Sequence, residues 1–136
     1  MAAMTMTDAL NRVFGDASER FERANETVAE LTTTLSALKQ AIAYRKGVFV
    51  EIEAAWVYAE NLYAACKNVQ ERDAILALKK KGDSEYQTEL LHQRDDETEA
   101  GRLEGRLELA RGTMSLMRRR MDYAVASRLL EAHSAQ

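Results

Sequence analysis

Proline is absent from this sequence, glycine occurs six times and cysteine once. With so little of the residues that punctuate turns, the backbone cannot build the many reversals of a β-rich fold. A single cysteine excludes a disulfide-stapled scaffold, and Cys66, unpaired within the chain, fits a reducing compartment. No apolar run approaches the ~18–20 residues of a membrane span. The first residues, Met1 to Asp8, lack the charged and apolar regions of a secretory signal, so a cytoplasmic location is expected, with residues 1–7 disordered. A formal net charge of −3 does not by itself attract polyanions. Aromatic residues are not interleaved with the basic ones, so no nucleic-acid partner is expected.

Of the 136 residues, 46% are hydrophobic and 30% charged, which is too apolar for wholesale disorder. The expectation is a single all-α domain over 1–136. From Phe14, a seven-residue step meets Phe14, Phe21, Val28, Leu35, Ile42, Phe49, Trp56 and Tyr63. The companion positions are Ala17, Ala24, Leu31, Leu38, Arg45, Ile52, Ala59 and Cys66, with Arg45 the one charged member. A strict 3.5-residue repeat keeps one seam toward a partner, so the pattern predicts a coiled-coil helix over about 16–81. Unbroken, it would be about 100 Å long at 1.5 Å per residue. Gly47 is the weak point, and a break there would give a three-helix bundle instead.

A turn is predicted at Lys79-Lys80-Lys81-Gly82-Asp83-Ser84. Lysines suit the last turn of a helix, Gly82 can take the left-handed conformation, and Ser84 with Gln87 can form a capping box. The second helix of this hairpin, about 85–132, carries the seam Leu103, Leu107, Ala110, Met114, Met117, Met121 and Ala124. Extended toward the turn, the seam reads Ala100, Asp96, Gln93 and Glu89, which predicts a solvated tip. Folding at Gly82 sets Leu103 beside Leu62, Met117 near Val48 and Leu129 near Ser36. Phe14, Phe21 and Val28 would then lack a partner in their own chain. Burying each is worth roughly 1.5–3 kcal/mol, so a homodimer forming a helical bundle is expected. The expected interface is Phe14, Phe21, Val28, Leu31, Leu35, Leu38, Ile42, Phe49, Ile52, Trp56, Met114, Met117 and Met121.

The run Val28, Leu31, Leu35, Leu38, Ile42 and Arg45, continuing to Trp56, Ala59 and Leu62, resembles the first long helix of sorting-nexin-type BAR domains. Lys79, Lys80 and Lys81 at a hairpin tip are similar to the basic tip of that fold. The resemblance implies three long helices per protomer, dimerisation through a helical bundle, and basic residues presented to anionic membranes in endosomal trafficking. By their own chemistry, Lys79, Lys80 and Lys81, and likewise Arg118, Arg119 and Arg120, are candidate contacts to an anionic surface.

Catalytic chemistry finds little support. Glu89-Leu-Leu-His92 has the spacing of a carboxylate-bridged metal site, but the remaining ligands are missing, and an exposed polar face is the plainer reading. Cys66 sits at a seam position with no histidine beside it. The glycines of Gly101-Arg-Leu-Glu-Gly105 do not follow a strand, so they are not a phosphate loop. No catalytic residue, cofactor, metal or small-molecule substrate is assigned. The expectation is a non-enzymatic scaffold that acts by self-association, with a BAR-like trafficking role. The alternatives are an adaptor or chaperone that captures a partner helix along Phe14, Phe21 and Val28, and a metal-binding bundle using Glu89 and His92.

Overall fold

The computed structural model describes residues 5–134, and these contain helices and no strand. The expected disorder of residues 1–7 lies outside the described residues for 1–4, while Met6 already belongs to a helix. Helix α1 spans Met6–Ala54, α2 Val69–Gly82 and α3 Ser84–Ser134, with a π-helical turn at Ala55–Ala59 after α1.

Local chemistry explains where each helix begins. Thr5 and Asp8 cap the start of α1 reciprocally: the Asp8 amide donates to the Thr5 hydroxyl at 3.1 Å, and the Thr5 amide to the Asp8 carboxylate at 3.4 Å. Gly47 lies inside α1 without interrupting it. The break comes later, between Glu60 and Asn68, so the predicted helix over 16–81 is two helices. Asn61 takes a left-handed φ of 50°, which asparagine tolerates better than most residues. Asn68 then caps α2, its side chain accepting from the Glu71 amide at 2.9 Å. Glu71 reaches back to the Lys67 amide at 2.6 Å.

The turn after Gly82 forms where predicted, by different contacts. No glycine takes a positive φ, and Gly82 is the last residue of α2. Asp83, not Ser84, caps α3 by accepting from the Tyr86 amide at 2.8 Å. Gln87 points the other way, donating to the Lys80 carbonyl at 2.7 Å and so satisfying the end of α2.

The chain divides into two compact units. The first joins residues 5–34 of α1 to residues 103–134 of α3. They run antiparallel, with Thr7 donating to Glu131 at 3.0 Å and the Arg118 guanidinium 5.4 Å from the Phe21 ring centre. Leu10, Ala17, Ala24 and Leu31 are buried with Leu103, Leu107, Ala110, Met117 and Ala124. The alanines let the two backbones lie close.

The second unit, residues 35–102, packs α2 and the adjoining parts of α1 and α3. Phe49, Trp56 and Tyr86 form its aromatic centre, with ring centres 5.0 and 5.4 Å from Tyr86. The predicted pairing of Leu103 with Leu62, Met117 with Val48 and Leu129 with Ser36 does not occur. Because the chain turns at 60–68 and again at Gly82, α3 runs beside α1, pairing Phe21 with Arg118 in one unit and Glu53 with Tyr86 in the other.

Candidate functional site

The residues expected to join two chains are largely occupied within one. Phe14, Phe21 and Val28 are half-buried in the first unit, where Leu31 and Met117 are buried and Met114 and Met121 half-buried. In the second unit Leu35 and Trp56 are buried, while Leu38, Ile42, Phe49 and Ile52 are half-buried. The stripe at Phe14, Phe21 and Val28, expected to be bare, faces α3 because that helix extends back along α1 to Thr7.

The basic candidates are similarly engaged. Lys79 pairs with Glu60 at 3.4 Å and lies 5.6 Å from the centre of Trp56. Lys80 pairs with Glu53 at 2.9 Å, and the Tyr86 hydroxyl donates to the same carboxylate oxygen at 3.1 Å. The hydrogen bond to Glu53 raises the Lys80 pKa above its ordinary value, and burial raises that of Tyr86. Lys81, Arg118, Arg119 and Arg120 are exposed, although Arg118 also covers Phe21.

The polar stretch of α3 is not a solvated tip. Arg45 reaches from α1 to Glu89 at 3.2 Å and to Asp96, and these contacts, the Asp96 hydrogen bond first, hold its pKa above the ordinary value. Gln93, between them on the same stripe, is only 6% exposed and donates to Glu97 at 3.1 Å. Glu89 therefore faces a guanidinium, while His92 is exposed. No group of three or more metal-ligating side chains occurs among the described residues. Cys66 is half-buried and free.

The surface that sequence reasoning missed lies on α3 in the first unit. Leu109, Leu116, Tyr123 and Leu130 recur at seven-residue steps, and all are exposed, Leu109 by 75% and Tyr123 by 70%. Beside this ridge, a groove of ≈ 390 Å³ runs between the helices, edged by Arg20, Arg23 and Arg106 with Ala24 and Ala110 in its lining. On its other side Gly105 and Gly112 line a second depression of ≈ 380 Å³. The seven-residue signal was present in the sequence. The neighbouring Leu103–Ala124 seam, with its alternating three- and four-residue spacing, masks it as the apolar face of this helix.

No family model, curated protein or solved structure matches the chain. No helix among the described residues is long and apolar enough to cross a membrane.

Proposed function

We propose that this protein is a non-enzymatic helical interaction module that acts by self-association. The observation carrying this reading is the row of large apolar side chains that α3 leaves in water in the first unit. Leu109, Leu116, Tyr123 and Leu130 recur at seven-residue steps and all stand exposed. An ordered row of exposed apolar side chains of this kind marks association sites. Arg45, Glu53, Glu60, Lys79, Lys80, Glu89 and Asp96 are paired with one another, which accords with a structural use of these groups.

A second copy that binds folded but not unfolded chains stabilises the fold by mass action. The thermal midpoint followed by circular dichroism should therefore rise with protein concentration. A midpoint independent of concentration over two decades would contradict self-association.

A further inference from the structure

We propose that a second copy of this chain docks on the first unit, with the Leu109, Leu116 and Tyr123 ridge of α3 lying against the α1 segment of its partner. This assignment rests on the self-association reading and deepens it by naming the face and the arrangement.

The charges on the unit decide the arrangement. Its α1 segment, residues 5–34, carries six acids and three arginines. Its α3 segment, residues 103–134, carries six arginines and four acids. One helix of the pair is thus net acidic and the other net basic. Stacking α3 on α3 within this unit would bring two net-basic segments together. Stacking α3 on the partner's α1 alternates the sign around four helices, and two-fold symmetry repeats the contact.

The position of the ridge supports this packing. Leu109 and Thr113 line the groove together with Arg20, Arg23 and Thr27, so Leu109 borders the side of the unit to which both helices contribute, and Arg20 and Arg23 there are paired with Asp16 and Glu19 of their own helix. On α1, Glu26 and Glu30 lie one turn apart and are exposed. On α3, the exposed Arg119 and Arg120 flank the ridge between Leu116 and Tyr123. Gly105 and Gly112 have open space where a side chain would stand, so α3 can be approached closely beside Leu109. An antiparallel four-helix bundle buries this kind of stripe, which a two-helix unit leaves wet.

Three variants of the full chain test the proposal by sedimentation equilibrium, with far-UV circular dichroism as the check on folding. Leu109→Asp with Leu116→Asp should give single-chain mass with wild-type helicity, since both leucines are exposed within one chain. Arg119→Glu with Arg120→Glu, and separately Glu26→Lys with Glu30→Lys, should each weaken the dimer about tenfold, corresponding to about 1.4 kcal/mol. Mixing these two charge-reversed proteins should restore association to near the wild-type strength, because each reversed α3 then meets a reversed α1. If the leucine variant keeps the wild-type dissociation constant, the ridge is not the interface. If the arginine-reversed protein pairs with wild type as tightly as with the glutamate-reversed protein, α3 does not lie on the partner's α1. Both results overturn the assigned face while leaving self-association in place. A wild-type chain that stays at single-chain mass defeats the underlying reading, and this proposal with it.

Discussion

Gln93 is a buried polar residue of the second unit. Its side-chain oxygen is buried without a hydrogen-bond partner among the described residues, while its amide nitrogen is held by Glu97. A buried acceptor left unpaired costs about 1–3 kcal/mol, so Gln93→Leu should stabilise the fold by about 1 kcal/mol, read as a rise in the urea midpoint. Such a layer is retained in helical bundles where it fixes register. Arg45 fits only where Glu89 and Asp96 face it, and a slip of α3 by one turn would part them. The nearby Lys80 and Tyr86 give the fold an alkaline limit. Both have pKa values raised in the folded state, so in both cases folding favours the protonated form. Their contribution is complete below the unfolded values near pH 10 and is lost as pH rises through the folded ones. The thermal midpoint should fall above about pH 10, and Tyr86→Phe with Lys80→Met should flatten that fall.

At the scale of the element, the helix ends are set by a few side chains whose removal has local consequences. Asn68→Ala removes the cap of α2 and should cost about 1 kcal/mol, with faster hydrogen exchange at the Glu71 amide that Asn68 now holds. Gly47→Ala should act in the opposite direction. Gly47 lies within α1 and an added Cβ would meet no atom within 4 Å, so alanine should stabilise the helix by up to about 1 kcal/mol. These two positions also show how far the elements could be read from sequence. The helical class, the start of α3 and the continuity through Gly47 were legible from spacing and composition. The break at 60–68 was not, because Trp56, Ala59, Tyr63 and Cys66 continue the apolar rhythm across it. Its signal was local: Asn68 followed three residues later by Glu71 is a helix start, and it was outweighed by the longer-range pattern. Moving that one boundary changed which residues face each other, and with them the reading of the exposed surface.

For the whole chain, the consequence is that α1 spends its seven-residue seam on α3, and the apolar ridge left exposed in the first unit is Leu109, Leu116, Tyr123 and Leu130. That ridge was visible in the sequence as spacing. Its exposure was not, since it depends on which side of α3 meets α1. The basic excess of α3 over residues 103–134 is likewise legible as sequence, and it gains meaning beside the acidic α1 segment of the same unit. Sedimentation equilibrium on the wild-type chain bears most directly on whether this surface is covered in solution. Self-association predicts twice the 15.3 kDa chain mass at micromolar concentration and above. A single species at 15.3 kDa up to the highest soluble concentration would contradict it.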